Sequence, residues 1–198
     1  MAGIPHSSPV RAFARLLEVL DKMEIQYEIG GSTASSAHGL PRTTLDVDLV
    51  VDLRADQIDA FAEELRSEFY ADASMIREAF ARGRAANLIH LGTAWKFDLF
   101  PLRDDDYSRI EFGRRVFREI RPDGGDAIEC AVTSAEDTIL RKIEWYKAGG
   151  GASERQWNDL RGVCQTAGGK LDVEYLRRWA GYLSVADLLE SLLAEFGL

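Results

Sequence analysis

The sequence predicts an α+β protein: an α/β unit over residues 1–133 in which helices and strands alternate, and a helical region over residues 134–198 packed on it. Three observations carry this. Apolar residues switch repeatedly between a period near 3.6 and a period of 2 through the first part of the chain. The stretch "TLDVDLVVDL" has the strand period in its clearest form, with Val47, Leu49 and Val51 alternating against Asp46, Asp48 and Val50. From Ser134 onward the pattern is helix after helix.

Taken in order, Phe13, Leu16, Leu17 and Leu20 recur at helical spacing after Pro9, giving an amphipathic helix that ends near Met23. "IQYEIGG" reads as a strand entering a double glycine. "STASSAHGL" reads as a short helix capped by Ser32 and ended by Gly39 and Pro41. After the Asp46 strand, Asp56 opens a helix whose stripe is Ile58, Phe61, Leu65 and Phe69. A short helix near Met75 to Ala81 follows, and "AANLIHLGTAWKFDLFPL" reads as two strands joined by a tight turn at Gly92 and Thr93. "DDDYSRIEFGRR" reads as helix, while "VFREI" and "AIECAVT" pair across "RPDGG". Ser134 with Asp137, and Ser153 with Gln156, have capping-box spacing, and "GGG" at 149 to 151 separates the helices they begin. The last two helices follow Asp172 and Ser184, with Leu188, Leu189, Leu192 and Leu193 on one apolar face.

Composition narrows the function classes. At 198 residues, 46% of them apolar and only 5 proline, the chain can bury one substantial core. A formal net charge of -9 argues against a broad basic face gripping nucleic acid, though not against a local basic groove. Cys130 and Cys164 match neither a metal-ligand spacing nor a disulfide framework, which suits a reducing cytoplasm. The first residues hold no apolar block of signal-peptide length, and no run approaches a membrane span, so a cytoplasmic protein without a membrane partner is expected.

The chemistry starts from a conflict. Asp46 and Asp48 lie two apart in an apolar strand, so both charges face one side in a poor dielectric. Asp98, in "WKFDLF", lies on the opposite face of its strand from Trp95, Phe97 and Leu99. If that strand neighbours the Asp46 strand, three carboxylates converge, at a cost of several kcal/mol each unless they are neutralised. An oxygen-only donor set suits Mg²⁺ or Mn²⁺. Ahead of them, Gly30 and Gly31 end a strand where backbone can approach a ligand, and Ser32 opens a helix whose first amides favour an anion.

These three parts, "IGGS" at Ile29 to Ser32, "LDVDLVV" at Leu45 to Val51 and "KFDLF" at Lys96 to Phe100, resemble the nucleotidyltransferase superfamily with the DNA polymerase β-like fold. With Arg42 and Thr44 ahead of the aspartates, "RTTLDVDLVV" looks most like the minimal and abortive-infection-type nucleotidyltransferases of bacterial toxin–antitoxin systems, and it is also similar to the antibiotic nucleotidyltransferases. The resemblance implies a mixed β-sheet with flanking helices. It also implies transfer of a nucleoside monophosphate from a nucleoside triphosphate, such as ATP, to an acceptor hydroxyl on RNA, protein or a small molecule. Asp46, Asp48 and Asp98 would be catalytic and bind magnesium or manganese. Gly30, Gly31, Ser32 and Arg42 would face the triphosphate, and "SAEDTILRKIEWY" and "SERQWNDL" would add Lys142 and Asp159 to the nucleotide side.

Simpler readings stand beside these. Asp46 and Asp48 could each pair with an arginine at a strand end, and Asp98 could face solvent beside Lys96. Lys142, next to the apolar stripe of Ile139 and Ile143, reads as a solvated lysine, and Asp159 could pair with Arg155 or Arg161. His38 and His90 read as packed histidines. The arginines at 77, 82 and 84, and at 114, 115, 118 and 121, read as solvated faces. A catalytically silent nucleotide- or partner-binding protein is the competing function, and the apolar C-terminal helices could complete the core, cover the cleft, pair two subunits as a homodimer or bind an antitoxin.

Overall fold

The computed structural model describes residues 9–40, 46–121 and 126–198; Arg42 and Thr44 lie outside the described residues. The elements are α1 (Pro9–Lys22), β1 (Tyr27–Ile29), α2 (Gly31–His38), β2 (Asp46–Val51), α3 (Ile58–Leu65), β3 (Phe69–Tyr70), α4 (Ala73–Ala81), β4 (Ala86–His90) and β5 (Lys96–Pro101). They continue with α5 (Asp106–Gly113), β6 (Val116–Ile120), β7 (Ile128–Val132), α6 (Ala135–Ala148), α7 (Glu154–Ala167), α8 (Val173–Tyr182) and α9 (Ala186–Ala194).

The strands form one mixed sheet in the order β3-β4-β5-β2-β1-β7-β6. β2 runs parallel to β5, and β1 is antiparallel to β2 but parallel to β7. Side-chain alternation sorts the two faces. Tyr27, Ile29, Val47, Leu49, Val51, Phe97 and Leu99 join Phe13, Leu16 and Leu20 of α1 and Ile58, Phe61 and Leu65 of α3 in one core. Phe13 stacks on Phe97 with ring centroids 6.0 Å apart, and Trp95 meets both rings edge-on. The residues between, Glu28, Asp48, Val50 and Asp98, belong to the opposite face.

A second apolar cluster lies among the C-terminal helices. Ile139, Leu140 and Ile143 of α6 pack with Leu160 and Val163 of α7, Leu176 and Trp179 of α8, and Leu189, Leu192 and Leu193 of α9. Tyr107 of α5 joins them, so this cluster is keyed to the sheet-bearing part. Ser134, Ser153 and Asp172 cap α6, α7 and α8 through side-chain acceptors, as their spacing predicts.

Two local expectations change. Phe69 does not extend the α3 stripe: the helix ends at Leu65 and Phe69 enters β3, where it pairs with His90. Helix α2 starts at Gly31 with Gly30 in the cap position, so Ser32 sits in the first turn and does not cap it.

Candidate active site

The parallel register of β2 and β5 sets Asp48 opposite Asp98 and Asp46 opposite Lys96. With a period of 2, all four side chains share the face away from the Val47–Phe97 core. The Asp48 carboxyl is held above its ordinary range by burial first, then by Asp98 and Asp46, while Lys96 and Lys142 pull it back. Asp98 is gripped from both sides: Lys96 Nζ lies 2.8 Å from Oδ2, and Asn87, its register partner on β4, donates to Oδ1. The donor chemistry therefore fits a hard divalent cation at Asp48, where negative charge is in excess. Among the described residues no three His, Cys, Asp or Glu side chains are already drawn around one point as metal ligands.

The double glycine is built against this cluster. Gly30 N donates to Asp48 O at 2.9 Å, which joins the end of β1 to β2 beside the carboxylate. Gly31 has φ +57, and a Cβ there would lie 2.8 Å from Asp48 Cγ, so only glycine leaves the carboxylate its place. The first turn of α2 consequently begins beside Asp48. At the other end of α2, His38 Nε2 lies 2.7 Å from Thr133 O, and burial keeps the ring below its usual range, as a packed neutral histidine. Gly39 then passes so close to Gly162 of α7 that a Cβ would meet its carbonyl carbon at 2.8 Å. This approach packs α7 on the end of α2 opposite the glycine turn.

Between them lies a cleft of about 350 Å³, lined by Gly30, Gly31, Ser32 and Asp48 on the sheet side and by Lys142, Trp145, Arg155 and Asp159 on α6 and α7. Lys142 is only 8% exposed, and its Nζ bonds Asp159 Oδ2 at 2.8 Å. Lys142 is thus a buried cation at the cleft, contrary to its reading as solvated, and Asp159 pairs with it. Arg42 lies outside the described residues. The other eight candidates fall into three sets: Asp46, Asp48 and Asp98 on one sheet face, Gly30, Gly31 and Ser32 at the glycine turn, with Asp48 touching both, and Lys142 and Asp159, which close the cleft from the helical side.

Sequence reasoning missed the wall beside this site. Arg141 Nε donates to both Glu111 oxygens, at 3.0 and 2.8 Å, its Nη1 reaches Glu144 at 2.8 Å, and its guanidinium lies over the Tyr107 ring. Asp137 accepts from Tyr107, Tyr175, Ser134 and Arg114, so Arg114 belongs to a structural network and not to a solvated face. Glu28 of β1 is 1% exposed, with Oε2 unpartnered among the described residues. Burial first, then Glu111 and Asp137, push its carboxyl up to about 8. The sequence signal for Glu28 was present: an acid between Tyr27 and Ile29 in a strand faces the same side as Asp48.

No family model and no curated protein matches the sequence. Solved structures do match in shape. The solution structure of the antibiotic-resistance factor ANT(2'')-Ia is similar at 16% identity and a TM-score of 0.51, covering 92% of this chain and 95% of that one. A crystal structure of ANT(2'')-Ia in complex with adenylyl-2''-tobramycin gives 16% identity and a TM-score of 0.50, covering 85% and 94%. The lincomycin-bound lincosamide antibiotic adenylyltransferase LnuA gives 14% identity and a TM-score of 0.47, covering 79% and 96%. The likeness to ANT(2'')-Ia establishes that this chain has the nucleotidyltransferase fold.

Proposed function

We propose that the chain is a metal-dependent nucleotidyltransferase that moves a nucleoside monophosphate from a nucleoside triphosphate to an acceptor hydroxyl. The observation that carries this reading is the meeting of Asp48 with both Asp98, across the β2–β5 register, and Gly31, whose missing side chain leaves room for the carboxylate. One feature suits two carboxylates to share a site, and the other suits backbone amides to share it with phosphate.

Asp46, Asp48 and Asp98 would hold Mg²⁺ or Mn²⁺, which when bound supplies positive charge to the triphosphate and to the oxygens entering and leaving phosphorus. Ser32 and the first amides of α2 orient the triphosphate, and Lys142, positioned by Asp159, adds charge from the opposite wall. Asp98 accepts the proton of the acceptor hydroxyl. The acceptor oxygen bonds to the α-phosphorus, the bond from that phosphorus to the bridging oxygen breaks, and pyrophosphate leaves with the electron pair. Arg42 retains its sequence-based assignment to the phosphates.

For the acceptor, the acidic face formed by Asp46 and Asp98 and the net charge of -9 favour a small cationic molecule over RNA, in keeping with the adenylyl-tobramycin held by ANT(2'')-Ia. A toxin–antitoxin role would call instead for RNA or protein. Incubation with Mg²⁺ and each labelled nucleoside triphosphate, alongside an aminoglycoside, RNA and protein, tests both points. Label is expected on the aminoglycoside, with a drop of about a thousandfold, about 4 kcal/mol, in Asp48→Asn. Equal transfer by wild type and variant would remove Asp48 from the chemistry, and salt-sensitive labelling of RNA would reassign the acceptor.

A further inference from the structure

The four tryptophans are used in two different ways. Trp95 and Trp179 are buried, at 7% and 6% exposure, within aromatic clusters. Trp157 packs on Tyr146 with ring centroids 5.1 Å apart, and its Nε1 donates to Glu195 at 3.0 Å. Trp145 is 53% exposed, and no aromatic ring of the described residues packs on it. Scattered exposed apolar side chains are ordinary. This one, however, lines the cleft that Gly31, Ser32, Asp48 and Lys142 also line.

We propose that Trp145 is the stacking platform for the base of the nucleoside triphosphate; this rests on the nucleotidyl-transfer reading above. Trp145 follows Lys142 by three residues on α6, about 4.5 Å along the helix axis, so the two side chains project from one face. A nucleotide whose phosphates meet Lys142 and the α2 amides has its base a ribose away from them, within the same cleft. Val50, Phe100 and Leu102 line the same cleft as apolar surface, beside Arg103, Arg141 and Glu144, and the volume suits a nucleotide-sized ligand. The acceptor is the rival occupant, because a sugar ring also packs on indole. Of the three site carboxylates, Asp48 lines the cleft, whereas Asp98 is bonded to Lys96 and to exposed Asn87 towards the outer strands. The cleft side of Asp48 thus takes the nucleotide, and the acceptor comes over Asp98.

Stacking on an indole is largely independent of base identity, so Trp145 governs nucleotide affinity more than base choice. The test compares Mg²⁺-dependent binding of ATP, GTP and inorganic tripolyphosphate by calorimetry to wild type, Trp145→Ala and Trp145→Phe. Trp145→Ala is expected to weaken the nucleotides about tenfold to a hundredfold while leaving tripolyphosphate unchanged, and Trp145→Phe is expected to restore most of the loss. Unaltered nucleotide affinity in Trp145→Ala overturns the proposal, as does an equal loss for tripolyphosphate or a loss seen only in the KM of the acceptor. If wild type binds neither nucleotide nor tripolyphosphate, the nucleotidyl-transfer reading itself fails and this inference with it. Nucleotide binding that ignores Trp145 overturns the platform alone.

Discussion

Two groups of carboxylates lie on the same side of the sheet and are treated in opposite ways. Asp137 is fully buried and receives Tyr107 Oη at 3.1 Å, Tyr175 Oη at 2.6 Å, Ser134 Oγ at 2.6 Å and Arg114 Nε at 3.3 Å. Arg114 also lies over the Tyr175 ring, 3.8 Å from its centroid. Asp48 has no hydrogen-bond donor among the described residues, and its charged neighbours include Asp46 and Asp98. The first carboxylate has its counter-charge and donors built into the protein, and it ties α5, α6 and α8 together. The second is only partly offset by Lys96 and Lys142 and keeps an excess of negative charge beside a backbone turn, which is useful only if something from outside completes it.

The sharpest way to break this comparison is to remove each acid. Asp137→Ala leaves two tyrosine hydroxyls, a serine and an arginine facing a cavity, and a loss of about 3 kcal/mol or more in stability is expected. Asp48→Asn removes a charge held near two others and should raise stability by about 1 kcal/mol in the absence of metal and nucleotide. Urea unfolding of both variants against wild type measures the two signs. Equal destabilisation would mean that the Asp48 cluster is as structural as the Asp137 network.

What was legible in the sequence follows the same division. The period-2 alternation of "DVDLVV" and "KFDLF" gave the shared carboxylate face, because a strand's pleat alone decides it, and the caps at Ser134, Ser153 and Asp172 are equally local. Lys142 was not legible. Its burial comes from α7 arriving with Asp159, 17 residues on, and nothing in the helical pattern around Ile139 and Ile143 reveals that. Phe69 fits the α3 stripe by spacing, but the pairing of β3 with β4 outweighs local periodicity. Trp145 escaped for the reverse reason: on a helix an aromatic residue suggests core, and only the position of the cleft gives it another use.

Glu28 sits between the two groups, and titration tells which one it resembles. It faces Glu111 and Asp137 as acids and Arg141 and Arg115 as bases, and burial outweighs the arginines to hold it up at about 8, whereas in the unfolded chain it titrates near 4.5. Between those values the folded state binds the extra proton, so raising the pH through this window favours unfolding. The penalty is absent below about pH 4.5 and complete above about pH 8. Glu28→Gln removes the ionisation, and the variant should gain about 4 kcal/mol on wild type between about pH 5 and about pH 8.5. Unfolding free energies across that range check this. Parallel pH profiles would show Glu28 to be neutralised by its arginines, as Asp137 is by Arg114.

Gly31→Ala has a small expected effect on stability and gives the most local test of the contrast. The left-handed φ of +57 costs an alanine about 1 kcal/mol, and the new Cβ would occupy the space of the Asp48 carboxylate. Asp48 can rotate away because no donor among the described residues holds it, so the fold should survive with a stability loss of about 1 kcal/mol. The same freedom leaves the site without its central carboxylate, and nucleotide transfer should fall at least about tenfold, or about 1.4 kcal/mol. Thermal unfolding and turnover measured on one preparation separate the two effects. A large stability loss with proportionate activity loss would mean that Asp48 is fixed as firmly as Asp137, and the distinction between a satisfied network and an open site would disappear.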